Sequence, residues 1–251
     1  MKLIPKPIRV LKNSIYLSRQ GIKLLDIVSS ADSSVQKAYF YKSANNKTMP
    51  LVVSLHEWSC DYKIFLERPQ LGVLCKNSDY NFIFPDFCGS NNKPESCMSE
   101  KSISDIDDAI DFAILKGNVD KNNIAIIGVS GGGHAALTMY FRSRHNIKYF
   151  SVWCPISDIE QWYYQTKYAD LRYYKDIEKI TCCVGWGIQE MRKRSPLYMD
   201  FVENVDRKNA RLEIYLALTM VTQEAFRLFT RSISTIKCVV ILFPIWKFRK
   251  L

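Results

Sequence analysis

The 251 residues contain no apolar run of the ~18 residues that a membrane span requires. The longest candidate, Cys238 to Trp246, is short and broken by Pro244. No C-x-x-C pair occurs among the eight cysteines, and the three histidines are not spaced near them as zinc ligands would be. No Gly-Lys-Ser/Thr follows the glycine-rich stretch, so a phosphate-binding loop is excluded, and its glycine spacing does not fit a dinucleotide fingerprint. No internal repeat is present, and no linker that would split the chain. Basic Met1 to Val10 is interrupted by Pro5 and Pro7, and no apolar segment of a secretory leader follows. The chain as written therefore reads as cytoplasmic, and as secreted or periplasmic if residues precede Met1. In an exported protein Cys75–Cys97 or Cys88–Cys97 would be the candidate disulfides; otherwise the cysteines read as free buried thiols.

What is there is ordinary globular composition: 47% hydrophobic and 24% charged, in a length that fills one large domain. We read 1–251 as a single domain, with a regular pattern over about 22–215 and an anomalous tail, 216–251. The net charge of +10 raises nucleic acid or a membrane surface as partner. Half of that excess sits in the tail. In the rest both signs are interspersed with no helix-length basic stripe, which disfavours nucleic-acid binding.

Residues 22–42 alternate like strands around a turn at Ser29–Ser34. Leu51–Leu55, Asn81–Pro85, Ile124–Ile127 and Tyr149–Trp153 are short apolar runs of the kind buried on both faces of a sheet. Ile106, Ile110, Ala113 and Ile114 predict a helix capped by Ser104, with Asp105, Asp107 and Asp108 at the positive end of its dipole. Strands alternating with helices imply a parallel α/β sheet with right-handed crossovers.

Chemistry concentrates at Gly128-Val129-Ser130-Gly131-Gly132-Gly133, between the Ile124 strand and a helix expected over His134–Tyr140. G-x-S-x-G in that context is a nucleophile elbow: a sharp turn exposes the serine hydroxyl, and glycines leave room for neighbouring backbone. Ser130 is the candidate nucleophile, and the Gly131 N–H a donor to a developing oxyanion. A second donor would come from Glu57 or Trp58, in the loop after the Leu51 strand. His56 precedes Ser130, against the serine–acid–histidine order of such sites. His134 and His145 lie on or just after the elbow helix, where neither suits a base.

These segments together resemble the prolyl oligopeptidase-like group of α/β-hydrolases, which includes acyl-aminoacyl peptidases and esterases. The likeness runs from about Ser29 to Asp206. It rests on Gln36-Lys37-Ala38-Tyr39, Pro50 to Ser59, Pro85-Asp86-Phe87-x-Gly89, Asp105 to Asp111, the elbow, Trp153-x-Pro155-Ile156-Ser157-Asp158 and Arg194-Ser195-Pro196-Leu197. It implies a mostly parallel sheet flanked by helices, with antiparallel strands at the N-terminus. It also implies hydrolysis of an ester or peptide substrate through an acyl-enzyme, with no metal or organic cofactor. Asp158 would belong to a cap or pocket segment. Trp58, Trp153, Trp162, Tyr163 and Tyr164 would line a pocket or pack the core and cap.

The resemblance breaks after Tyr215. The family there reads approximately Gly-x-x-Asp-Gly-x-x-Gly-Ser-Val-Pro-x-x-His-Ser, with the catalytic histidine later still. This chain has no histidine after His145, so the triad Asp and His are not present in it. Read from the third base of each codon, with allowed codon choices, Leu216 through Ile236 spell Gly-Ile-Asn-Asp-Gly-Tyr-Thr-Gly-Ser-Val-Pro-Ile-Ile-His-Ser-Ile-Asn-Phe-Tyr-Asn. A frameshift after Tyr215 is therefore expected, with loss of the last strand of the sheet. The rival is a native tail on a catalytically dead, ligand-binding homologue.

Overall fold

The computed structural model describes residues 6–182, 187–203, 205, 207, 209–217 and 236–241. Helix α1 (Lys6–Arg19) leads into the hairpin β1 (Lys23–Val28) and β2 (Val35–Tyr41), closed by the expected turn, where Ser29 N–H donates to Ser34 O at 2.8 Å. Then follow β3 (Met49–Leu55), a 3-10 turn (Tyr62–Leu66), α2 (Gln70–Asn77), β4 (Asn81–Pro85), α3 (Glu100–Lys116), β5 (Val119–Val129) and α4 (Gly131–Arg142). Strand β6 (Tyr149–Trp153) is followed by α5 (Ile159–Tyr168), α6 (Tyr173–Thr181) and α7 (Gly187–Lys193), then β7 (Arg211–Ala217) and β8 (Ile236–Ile241).

The eight strands form one sheet in the order β1-β2-β4-β3-β5-β6-β7-β8. Pairing is antiparallel from β1 to β4 and parallel from β4 onward. This is the expected mixed sheet, and alternation divides its side chains between two layers. Ala38, Phe40, Leu51, Val53, Ile124, Ile126, Phe150, Val152, Leu212 and Ile214 face α3 and α4. Tyr39, Tyr41, Val52, Phe82 and Phe84 pack on Phe65 of the 3-10 turn, Cys75 of α2 and Leu17 of α1. On α3, Ile103, Ile106 and Ile110 recur at helical spacing and are buried, each contributing about 2 kcal/mol.

Three expectations are corrected. The helix begins at Glu100, not after Ser104: Cys97 and Met98 both turn left-handed and place Ser99 as the cap, its hydroxyl accepting from Ser102 N–H at 3.2 Å. The three aspartates consequently lie deeper in the helix, where they make tertiary ties. Asp105 accepts from the Cys88 thiol at 3.1 Å, Asp107 from Ser143 Oγ at 2.6 Å and Arg144 N–H at 3.0 Å, and Asp108 from Ser30 N–H at 2.6 Å. Second, the sheet does not lose its last strand. Ile236–Ile241 pairs parallel with β7 from Leu212↔Ile236 to Ala217↔Ile241. The intervening residues 218–235, on which most of the frameshift reading falls, lie outside the described residues. Third, the N-terminal residues do carry a helix-length basic element, because Pro7 sits in the first turn of α1, where a missing N–H costs nothing. The six described cysteines, Cys60, Cys75, Cys88, Cys97, Cys154 and Cys182, are all free.

Candidate active site

Strand β5 ends at Val129 and α4 begins at Gly131, so Ser130 alone makes the turn, with φ 55° and ψ −117°. This is a strained conformation for a residue with a Cβ, costing about 1–3 kcal/mol. Two hydrogen bonds hold it: Ser130 N–H donates to Trp153 O at 2.8 Å, and His134 N–H donates to Ser130 O at 2.9 Å. The glycines are required by contact. A Cβ on Gly128 would lie 2.0 Å from Gly132 O, and one on Gly132 2.3 Å from Leu55 O. A Cβ on Gly131 would lie 2.2 Å from the backbone nitrogen of Trp58, so the loop after β3 runs directly against the elbow.

Gly131 and Trp58 are thus brought together. Among the described residues neither backbone N–H has an acceptor. The amide that carries the Trp58 N–H is held through its Glu57 carbonyl, which accepts from Cys60 N–H at 3.1 Å, while the Glu57 carboxylate pairs with Arg68 at 2.6 Å. The following peptide is held too, the Trp58 carbonyl accepting from Asn91 N–H at 2.8 Å. The Trp58 ring is buried, its indole N–H donating to Asp176 of α6 at 3.3 Å. Trp162 meets it edge-on at 4.6 Å and packs in turn on Tyr173. Helices α5–α7 therefore rest on the same residue whose backbone faces the elbow.

The other candidates are placed elsewhere. Trp153 stacks on Tyr215 at 4.0 Å and contributes its carbonyl, not its ring, to the elbow. Asp158 caps α5, accepting from Gln161 N–H at 3.1 Å, and also accepts from Tyr198 O–H. The Tyr163 hydroxyl donates to Glu178, and Tyr164 is exposed.

No histidine ring hydrogen bonds to Ser130; His134 meets it only through its backbone N–H. His56 stacks on Phe87 at 3.9 Å, and its ring nitrogens face Asp86 O at 2.7 Å and Glu57 O at 3.0 Å. His145 Nε2 lies 3.2 Å from Asp107 O. His134 is fully buried; its Nε2 donates to Arg194 O at 2.7 Å, its Nδ1 has no partner, and burial pushes its pKa down to about 4. The buried Arg194 guanidinium donates to Ser96 O at 2.6 Å and Pro94 O at 3.0 Å and pairs with Glu190, tying the loop before α3 to α7. Sequence reasoning missed Asp176, which had no distinguishing pattern, and the tie made by Arg194, which stands in one of the segments that carried the resemblance. Among the described residues no cluster of His, Cys, Asp or Glu is placed to hold a metal ion, and no helix is long and apolar enough to cross a membrane. A cavity of about 310 Å³ lies on the sheet at β5–β7, lined by Ile127, Tyr149, Ser151 and Arg211 among others and by no residue of the elbow.

The model of the prolyl oligopeptidase family matches residues 72–209, more than half of the chain. No curated protein matches it. Among solved structures it is similar to an acylaminoacyl peptidase of Pyrococcus horikoshii, with TM-score 0.61 and 16% identity over 91% of this chain and 38% of that one. An esterase of Pyrobaculum calidifontis gives TM-score 0.62 and 18% identity, covering 98% of this chain and 84% of that one. A puromycin-hydrolyzing peptidase of Mycobacterium tuberculosis gives 0.66 and 14%, covering 88% and 35%. At these identities the likeness is one of fold, and the chain spans under two fifths of the length of the two peptidases.

Proposed function

The chain belongs to the prolyl oligopeptidase family, and from that premise we propose that it is a serine hydrolase in architecture, built to cleave an ester or amide bond of a small-molecule or peptide substrate through an acyl-enzyme on Ser130. The supporting observation is the elbow itself, in which Ser130 is held at positive φ, the Trp58 backbone lies against Gly131, and neither the Gly131 nor the Trp58 N–H has an acceptor among the described residues. In this reading the Ser130 hydroxyl adds to the acyl carbon, and the two N–H groups stabilise the tetrahedral oxyanion. Of Glu57 and Trp58, Trp58 is the second donor, because its nitrogen lies against Gly131. The aromatic cluster of Trp58, Trp162 and Tyr173 would flank the acyl group. No metal or organic cofactor enters this scheme.

The same reading makes this chain a weak catalyst. No histidine follows His145, and His56, His134 and His145 are committed to carbonyls elsewhere. Without a base, what remains of such sites is ~10³–10⁴-fold over water. We attribute the loss to a frameshift after Tyr215. A fluorophosphonate probe tests it: labelling of the chain as written should be slow and absent in Ser130→Ala, whereas a gene restored to the alternative frame should label rapidly at Ser130. Rapid labelling of the chain as written would refute the missing base. A binding module is the second reading, favoured by the commitment of all three imidazoles to carbonyls away from Ser130; saturable ligand binding unchanged in Ser130→Ala, with no labelling in either frame, would establish it over the enzyme.

A further inference from the structure

The positive charge of this chain is concentrated at its ends. Residues 1–23 carry six basic residues and no acid, whereas 24–215 have a net charge of −1. Within the first block α1 presents two opposite faces. On one, Leu17 is buried against the sheet layer and Asn13 Nδ2 donates to Leu66 O at 2.6 Å, while Lys6 pairs with Glu67 at 2.8 Å. On the other, Ile8, Leu11 and Ile15 recur at i, i+3, i+7 and are 49%, 62% and 48% exposed. Beside that apolar row the helical spacing places Lys12 and Arg19, both exposed.

We propose that α1 is a docking helix for an anionic lipid surface. An amphipathic helix with an apolar row and cations alongside it lies in the plane of a bilayer, with the apolar side chains at the headgroup boundary and the cations among anionic headgroups. Here the helix is already formed and anchored through its opposite face, so docking requires no unfolding of the domain. The charge is complementary to an acidic surface along the whole helix, since no acidic residue occurs before Asp26. A bilayer fits the patch better than a protein does. Three side chains on a convex helix fall well short of the roughly 800 Å² per partner of a stable protein interface.

The test is co-sedimentation of the full chain with vesicles of phosphatidylcholine alone and of phosphatidylcholine mixed with phosphatidylserine. Binding should require phosphatidylserine and weaken as salt is raised. Lys12→Gln combined with Arg19→Gln should weaken partitioning roughly 30-fold, about fivefold for each cation removed. Leu11→Ser combined with Ile15→Ser should weaken it as well, and thermal unfolding of both variants should match the parent because all four side chains are exposed. In Leu11→Trp the fluorescence should shift to the blue on adding the mixed vesicles. No binding to mixed vesicles would overturn the proposal. Binding that neither double variant changes would do so too, by assigning it to the basic C-terminal residues. Vesicle-independent self-association abolished by Leu11→Ser and Ile15→Ser would make the patch a contact between chains instead.

Discussion

His134 offers a quantitative check on the packing behind the elbow. Its imidazole is fully buried, holds its proton on Nε2 for the Arg194 carbonyl, and carries a pKa lowered to about 4 from the usual 6.5. The unfolded chain therefore binds a proton near pH 6.5 that the folded chain refuses until about pH 4. The resulting stability is fully present above the unfolded pKa and is lost as pH falls from about 6.5 toward 4. Between pH 7 and 5 that loss amounts to about 2 kcal/mol. For a chain of this length it corresponds to a fall in Tm of ~4–8 °C. Asp86 and Asp107 act in the opposite sense, because burial raises both carboxyls and makes the folded state take up protons more readily as pH falls. The parent chain alone is thus not diagnostic. The difference between it and His134→Gln is, since glutamine keeps a donor for Arg194 O and cannot titrate. Urea denaturation from pH 7 to 5 should show the stability gap between parent and variant shifting by about 2 kcal/mol in the variant's favour. A gap independent of pH, or an NMR titration in which all three histidines protonate above pH 6, would refute the argument.

Gly131→Ala drives a Cβ into the Trp58 peptide at 2.2 Å; with backbone on both sides it should cost about 1–3 kcal/mol and abolish residual fluorophosphonate labelling, read by denaturation and gel fluorescence. Arg194→Met leaves the Pro94 and Ser96 carbonyls without their buried donor and should destabilise the chain by about 3 kcal/mol in urea, whereas a surface change such as Lys47→Met should not. Under native alkylation Cys182, which is exposed, should react before the other five described cysteines. Cys97, buried with its thiol pushed up to about 12, and Cys75, pushed up to about 11, should react only on unfolding, as peptide mass spectrometry would show.

Much of the fold was legible because its signals are local. Strands at 51–55, 81–85 and 149–153 announce themselves as apolar runs of strand length, and the glycines after Val129 announce a turn where backbone meets backbone. Helix boundaries were less legible. Ser99 and Ser104 are equally good caps by residue type, and the choice fell to the left-handed pair Cys97 and Met98, which nothing in their identity foretells. The two prolines near α1 read as breakers, though Pro7 occupies the one part of a helix that tolerates it.

The sequence by itself determined the family, the alternation of strands and helices, the elbow serine and the lack of any histidine beyond His145. These depend on residue type and spacing along a few neighbouring turns. Only the tertiary structure decided that Trp58 rather than Glu57 lies against Gly131, that Asp176 and helices α5–α7 hold that tryptophan, and that three aspartates of α3 serve as ties instead of dipole partners. It also decided which face of α1 is left in water. Each of these is a contact between segments far apart in the chain, and a contact of that kind is fixed by how the whole sheet and its layers pack, which no local pattern encodes.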